Sequence, residues 1–175
     1  MSEKIYSCEI ERKFLVDVYK LPDISKYPYM NISQGYMNLE SNGKLFRLRQ
    51  ILYMSSENNL VGEEYFMAIK GSGLNIRTER ECVLWKPQFY TLWPECEKYI
   101  VHKFRYKLPS QDGKHIVEYD IYKNGLSGLY IAEVEFNSKE DCDAYIPEDW
   151  FYKEVTFDSR YANVNLAINQ QRPEL

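Results

Sequence analysis

Apolar and polar residues alternate along most of this chain, with a period of two rather than the 3.6 residues of a helix. Such alternation predicts β-strands whose two faces meet different surroundings. The strands are predicted at residues 4–14, 33–40, 44–53, 63–70, 75–84, 99–108, 114–122 and 129–136.

The connections between several predicted strands are short and rich in turn-forming residues. Ser41-Asn42-Gly43, Gly71-Ser72-Gly73 and Ser110-Gln111-Asp112-Gly113 each separate two strands, and such short links join antiparallel neighbours. Helices are predicted at 87–96, 138–145 and 159–169, and the segment 17–31 is predicted to be irregular or a short helix. We therefore expect a mainly β (α+β) fold in a single domain over 1–175, with a few helices covering the sheet.

The polar positions of the strands are ionised to an unusual degree. Residues i and i+2 share a face of a strand, so each group of charges projects from one side. The basic positions are Lys13, Arg47, Arg49, Lys70, Arg77, Lys103 and Arg105, and the acidic positions are Glu9, Glu11, Glu79, Glu81, Glu118, Asp120, Glu133 and Glu135.

Two interpretations of this charged face stay open on the pattern alone. Charged faces are usually solvated outer surfaces over an apolar core. However, like charges at i and i+2 repel each other unless something neutralises them. If eight strands close into an antiparallel barrel with the charges inside, the interior has room for one small ligand. A polyanion bound together with divalent cations would satisfy both the basic and the acidic groups.

The bulk composition narrows the choice of ligand. The formal net charge is −4, which argues against a nucleic-acid partner. The acidity is compatible with a phosphate ligand if carboxylates hold Mg²⁺ and Mg²⁺ holds the phosphates. No apolar run is long enough to cross a membrane, and none of the four cysteines forms a CxxC pair. We therefore expect a cytoplasmic protein with reduced thiols.

The order of these charged segments resembles the triphosphate tunnel metalloenzyme (CYTH) family over about residues 5–168. The opening Glu9-Ile10-Glu11-Arg12-Lys13 fits its ExExK pattern. The other matching segments are Gln34-Gly35-Tyr36, Phe46-Arg47-Leu48-Arg49, Ala68-Ile69-Lys70-Gly71, Arg77-Thr78-Glu79-Arg80-Glu81, Lys103-Phe104-Arg105-Tyr106, Glu118-Tyr119-Asp120, Glu133-Val134-Glu135-Phe136 and the region from Glu154 to Ala167. The compact bacterial members that hydrolyse inorganic triphosphate are the most similar.

The resemblance implies an eight-stranded tunnel in which basic residues bind phosphates and acidic residues bind one or two Mg²⁺ or Mn²⁺ ions. It implies substrate contacts for Lys13, Arg47, Arg49, Lys70, Arg77, Lys103 and Arg105. It implies metal ligands at Glu9, Glu11, Glu118, Asp120, Glu133 and Glu135, with Glu79, Glu81 and Glu154 supporting the tunnel.

The expected reaction is in-line attack of water on a terminal phosphoryl group, which depends mainly on positioning and charge neutralisation. Tyr36 and Lys103 are the candidates for proton transfer. The alternative for Tyr36 is a core aromatic residue, and the alternative for Lys103 is a simple phosphate contact.

Three other functions remain open at the sequence level. A class IV type adenylyl cyclase or a thiamine triphosphatase would use a similar tunnel. A non-catalytic module that binds polyphosphate or nucleotide is the third, although pure anion binding requires no carboxylates. We expect a small polyanionic substrate, such as tripolyphosphate or a nucleoside or thiamine triphosphate, and no nucleic-acid or membrane partner, and a homodimer is compatible with the sequence.

Overall fold

The structure, a computed structural model, describes residues 7–37, 45–70, 76–96 and 98–174. Its main element is an antiparallel sheet, and the described residues contribute nine strands to it. They are β1 (Ser7–Val16), β2 (Tyr29–Met37), β3 (Leu45–Met54), β4 (Leu60–Lys70), β5 (Ile76–Val83), β6 (Ile100–Pro109), β7 (Ile116–Tyr122), β8 (Tyr130–Phe136) and β9 (Phe151–Glu154).

The strand order in the sheet is β5-β4-β3-β2-β6-β7-β8-β1-β9. β5, at one end of this order, also pairs with β1 through the four residue pairs from Ser7↔Glu79 to Ile10↔Ile76. β1 thus pairs with β5 along its first half and with β9 along its second half.

The nine strands correct the predicted count of eight. The additional strand β9 has only four residues, and three of them are exposed, so it lacks the apolar alternation by which the other strands are recognised. Its pairing with β1, for example Phe14↔Glu154, joins residues far apart in sequence. β2 and β4 also begin earlier than predicted, at Tyr29 and Leu60.

Three short helices lie in or near the predicted segments: α1 (Lys86–Leu92), α2 (Lys139–Ala144) and α3 (Asn163–Asn169). A 3-10 helix, Trp93–Cys96, extends α1, and another, Ser159–Tyr161, precedes α3. α2 begins as its sequence predicts, because the Ser138 side chain accepts a hydrogen bond from the backbone N–H of Asp141. None of the described helices is long and apolar enough to cross a lipid bilayer.

Apolar side chains on the outer face of the sheet form two clusters that these elements cover. On β1, β7 and β8, Phe14, Tyr119 and Val134 pack with Trp150 and with the segment that follows β1. On β3 and β4, Leu48 and Tyr65 pack against Phe89 of α1. With apolar residues covered on the outer face, the charged positions of these strands face the opposite side.

Candidate active site

Strands β1, β6, β7 and β8 bring the predicted charges together on the inner face of the sheet. The register pairs Lys13 with Glu133, Glu133 with Glu118, and Arg105 with Asp120. Directly paired residues lie on the same face of a sheet. Residues far apart in sequence therefore form one charged layer.

Arg105 is the centre of this layer. Its Nε lies 2.7 Å from Asp120 Oδ1 and its Nη2 2.6 Å from Asp120 Oδ2, so the guanidinium binds this carboxylate with two nitrogens. Nη2 also lies 2.5 Å from Glu133 Oε2, and Nη1 contacts Glu118. A planar fork of five donors suits Arg to this role.

Two lysines complete the network. Lys13 Nζ lies 2.8 Å from Glu133 Oε1, and Lys103 Nζ lies 2.5 Å from Asp120 Oδ2. Asp120 is fully buried and Lys103 is 2% exposed. Each buried charge thus has a partner of opposite sign, as burial requires.

These contacts shift the pKa values of the buried groups. Burial would raise the pKa of Glu133, but Lys13 and Arg105 outweigh it and hold the pKa well below the ordinary value. Glu118 follows the same pattern, since Arg105 and Lys107 lower its pKa against the effect of burial. Burial, reinforced by the positive charge of Arg105, lowers the pKa of Lys103 despite its contact with Asp120.

Glu11 and Glu135 lie beside this network and form an acidic group with Glu118, which also binds Arg105. Glu11 and Glu135 are paired across β1 and β8. Burial and then the negative charges of Glu118 and Glu11 raise the pKa of Glu135. A carboxylate whose neighbours are also carboxylates is stabilised by an added cation.

A second charged group lies across the sheet on β3 and β5. Arg47 Nη2 and Arg49 Nη2 lie 2.9 and 2.7 Å from the same oxygen of Glu81. The guanidinium of Arg49 also lies 5.4 Å from the centre of the Phe66 ring. Glu81 therefore holds side by side the two arginines that are predicted to bind phosphate.

For four predicted residues, Glu9, Lys70, Arg77 and Glu79, the description covers the backbone and not the side chains. The register places Glu9 opposite Arg77, and Glu79 opposite both Lys70 and Ser7. The roles predicted for these four side chains therefore stay predictions.

Apolar side chains fill one end of the charged interior. Leu15 follows Lys13 on the same face of β1, and Val101 precedes Lys103 on the same face of β6. Both belong to a cluster, here called the apolar end, with Leu166 and Ala167 of α3. Its other buried members are Tyr36, Tyr122, Leu126, Leu129, Ile131, Val155 and Tyr161.

Tyr36, predicted for proton transfer, belongs to the apolar end. Its side chain is 2% exposed, and its hydroxyl accepts a hydrogen bond from Gln34 Nε2 at 2.5 Å. Tyr36 therefore lies in the core, where its hydroxyl binds a polar neighbour on the same strand face, and its role in proton transfer stays a prediction.

Glu154, predicted to support the tunnel, lies outside the charged interior. Its carboxylate binds Arg12 Nε at 3.0 Å and Arg12 Nη2 at 2.7 Å. Arg12 lies between Glu11 and Lys13 in β1, so it points to the opposite, outer face. Glu154 occupies that face because β9 pairs it with the outward-facing Phe14.

Two residues of the site were not predicted. Gln34, buried at 3% exposure, lies on the inner face opposite Arg49 and Val101. The ring of Tyr122 lies 5.5 Å from Lys103 Nζ, and its hydroxyl binds Asn163 Oδ1 at 2.6 Å. The sequence pattern does not distinguish Tyr122 from a tyrosine of the ordinary core. Only the register, which pairs Tyr122 with Lys103, places it in the site.

The donor set of the acidic group fits a hard divalent cation, because carboxylate oxygens are the ligands that Mg²⁺ and Mn²⁺ take. Among the described side chains, however, no three His, Cys, Asp or Glu residues already converge on one point as metal ligands. Asp120 and Glu133, also predicted as metal ligands, form ion pairs with Lys103, Lys13 and Arg105, and their role toward a metal stays a prediction.

Comparisons with known proteins agree with this geometry. The chain is 38% identical to the inorganic triphosphatase of Nitrosomonas europaea over 161 residues, covering 92% of this chain and 97% of the relative. It is 30% identical to the inorganic triphosphatase of Acetivibrio thermocellus over 165 residues, covering 92% and 94%. No protein-family model matches the chain.

The fold comparison leads to the same family. A crystal structure of the inorganic triphosphatase NE1496 superposes with a TM-score of 0.65 at 38% sequence identity, covering 91% of this chain and 94% of that chain. The similarity to these relatives extends over nearly their whole length. The charged segments by which the sequence resembles the family lie on strands of the sheet. This chain therefore belongs to the CYTH, or triphosphate tunnel metalloenzyme, family together with these inorganic triphosphatases.

Proposed function

We propose that this protein hydrolyses inorganic tripolyphosphate to pyrophosphate and phosphate in the charged interior of its sheet, with Mg²⁺ or Mn²⁺ as cofactor. The observation that carries the proposal is the buried network around Arg105, where cations and carboxylates from four strands face one interior. The names of the two relatives and of the matching crystal structure support inorganic triphosphate as the substrate.

We further propose that β1 to β8 surround the substrate as a tunnel. The pairing of β5 with β1 supports this, because it joins the two ends of the eight-strand series. The apolar end would exclude a highly charged chain from one side. Tripolyphosphate would then enter and leave through the opposite, charged side.

The cations of the interior would bind the phosphate oxygens. Arg47 and Arg49 lie together at Glu81 and would clamp adjacent oxygens, while Lys13 and Arg105 approach from the other side of the interior. Lys70 and Arg77 belong to the same proposed set on the family resemblance. These cations would contact phosphate oxygens while they stay paired with their carboxylates, so no buried charge would lose its partner.

Glu11, Glu118 and Glu135 are the residues proposed to hold the cofactor, together with Glu9. When bound, a divalent cation neutralises charge on the transferring phosphoryl group and lowers the pKa of a bound water. Asp120 and Glu133 would orient Lys103, Lys13 and Arg105 toward the phosphates.

Lys103 is proposed to take part in the transfer of the proton from the attacking water. Water attacks the terminal phosphorus, the bond from that phosphorus to the bridging oxygen breaks, and pyrophosphate leaves. Burial lowers the pKa of Lys103. The neutral amine, which can accept a proton, is therefore easier to form than in an exposed lysine. A phosphate contact by the same ammonium group remains the alternative role.

The test is phosphate release from tripolyphosphate, thiamine triphosphate, ATP and pyrophosphate at matched concentrations, with Mg²⁺, with Mn²⁺ and with EDTA. Tripolyphosphate should be hydrolysed fastest, and EDTA should abolish turnover. A higher rate with ATP or thiamine triphosphate, or cyclic AMP formed from ATP, would contradict the proposed substrate. Full activity in EDTA would contradict the metal requirement.

Variants of the acidic group test the proposed residues. Glu11→Gln and Glu135→Gln should each lower kcat by about 100-fold, because they remove charge that acts on the reacting phosphate. Both should keep the fold, since Glu135 has carboxylate neighbours whose repulsion the change relieves. Glu140→Gln on the exposed face of α2 is the matched control, and wild-type rates in the first two variants would refute the assignment.

A further inference from the structure

A pocket outside the charged interior lies between the C-terminal segment 171–174 and the ends of β1 and β8. Its volume is about 710 Å³, within the range of small-molecule sites in proteins. Leu15, Val16 and Leu129 give it apolar surface, and the rings of Tyr130, Tyr152 and Tyr161 give it aromatic surface. No charged residue of the proposed active site lines it.

Tyr161 supplies a buried polar group at this pocket. The residue is 1% exposed, and its hydroxyl has no hydrogen-bond partner among the described residues. A buried hydroxyl without a partner costs free energy, which a ligand accepting its hydrogen bond would offset. A tyrosine that served only as core packing would need no hydroxyl here.

Arg172 supplies a positive charge to the same pocket. Its Nη1 lies 3.4 Å from the carbonyl oxygen of Gly128, a long contact for a charged donor. Gly128 has a φ of +86°, and a Cβ at this position would lie 2.8 Å from Nη1. The glycine therefore lets the guanidinium lie close to the backbone at the edge of the pocket.

We propose that this pocket binds a small aromatic carboxylate, with its ring among the tyrosines and its carboxylate at Arg172 and the Tyr161 hydroxyl. Arg suits a carboxylate because its fork can donate to both oxygens. Glu174 also lines the pocket and would repel a second negative charge. The ligand is therefore a monoanion rather than a polyphosphate.

Binding here should stabilise the apolar end of the sheet. Leu15, Leu129 and Tyr161 belong both to the pocket and to the apolar end, so a ligand contacts the layer that packs on α3. A ligand that binds only the folded state stabilises it by RT ln(1 + [L]/Kd), so the unfolding temperature should rise with ligand concentration.

The experiment uses 2-naphthoate as probe and the neutral 2-naphthamide as its control, with binding followed by calorimetry and by thermal unfolding. Naphthoate should bind saturably at one site per chain and at least about tenfold more tightly than the amide, as the loss of one charge-assisted hydrogen bond implies. Excess tripolyphosphate with Mg²⁺ should not compete. Competition by tripolyphosphate, or no saturable binding up to about 10 mM, would overturn the proposal.

Three variants and two controls distinguish this pocket from any other apolar surface. Arg172→Gln should weaken naphthoate binding about tenfold and Tyr161→Phe about threefold, while Glu174→Gln should strengthen it. Tyr19→Phe, at a residue 96% exposed, and Lys26→Gln are the matched controls and should bind as the wild type does. Unchanged affinity in Arg172→Gln or Tyr161→Phe would overturn the proposed contacts, even if the hydrolase activity is as proposed.

Discussion

At the residue scale, the interior is organised by pairing buried charges. Asp120 is fully buried because Lys103 and Arg105 both bind it. Alternation in the sequence indicated that Asp120 and Glu118 share a face, and the same held for Lys103 and Arg105. The pattern did not indicate that Asp120 would bind both of these cations, because that depends on the register between β6 and β7.

Removing the charge of Asp120 should therefore destabilise the fold. In Asp120→Asn, Lys103 and Arg105 remain buried around a neutral amide, and breaking a buried ion pair costs about 3 kcal/mol or more. The free energy of unfolding, measured by urea denaturation, should fall by that amount.

Asp143→Asn is the control for this change. Its carboxylate pairs with Lys139 on the exposed surface, where such a pair contributes little to stability. Equal stabilities for the two variants would show that the buried network does not hold the interior together.

At the element scale, side-chain contacts fix helices and turns to the sheet. His115 is the last residue of the β6–β7 connection and joins this connection to α2. Its Nδ1 lies 2.6 Å from Asp112 Oδ2, and its Nε2 lies 2.9 Å from Asp141 Oδ2. Asp141 was already expected to begin a helix, but its contact with His115 depends on how α2 packs.

This histidine should make stability depend on pH. The hydrogen bond to Asp141 raises the pKa of His115 against the effect of burial, and Asp112 adds to the rise. The stabilisation is complete below the pKa of the unfolded chain and is lost as pH rises through the folded-state pKa. His115→Gln should therefore cost about 1 kcal/mol more at pH 5 than at pH 9 in urea unfolding.

His102 provides a contrast of opposite sign. Burial lowers its pKa, so protonation disfavours the folded state, and His102→Gln should improve relative stability as pH falls. If both variants show the same pH dependence, the His115 contacts do not act as charged pairs in solution.

The packing of the 3-10 helix Trp93–Cys96 on β2 depends on Gly35. A Cβ at this position would lie 2.5 Å from the Cβ of Cys96 in the 3-10 helix after α1, so Gly35→Ala should lower the free energy of unfolding by about 2 kcal/mol. Cys96→Gly removes the opposing atom and should recover part of the loss. A double-mutant cycle by urea unfolding measures this coupling, and strictly additive effects would contradict the close approach.

At the scale of the whole molecule, charged and apolar layers are stacked along one interior. The network around Arg105 occupies one layer, and the apolar end, which α3 completes, occupies the next. The outer face is apolar and covered by α1, α2 and β9. This arrangement reverses the usual order, in which charge faces solvent.

The apolar end should contribute strongly to stability. Leu166 of α3 is fully buried in it, and Leu166→Ala should cost about 3 kcal/mol through the cavity it leaves. Ile168→Ala on the same helix, at a residue 45% exposed, is the control and should change the free energy of unfolding little. Similar losses in both variants by urea unfolding would show that α3 does not pack on the interior as described.

The sequence by itself determined the class of fold and most strand positions, because a period of two and short turns are local properties that can be read without knowing which residues are in contact. It also indicated the family through the order of its charged segments along the chain. It also determined which charges share a strand face, since i and i+2 must do so. The tertiary structure alone decided which strands distant in sequence are neighbours, such as β2 and β6, that a ninth strand joins β1, and that Glu154 faces outward with Arg12. It also decided that Asp120 and Glu133 neutralise cations and that Tyr36 lies in the apolar end. These features depend on register and long-range packing, where residues distant in the chain compete for the same partner.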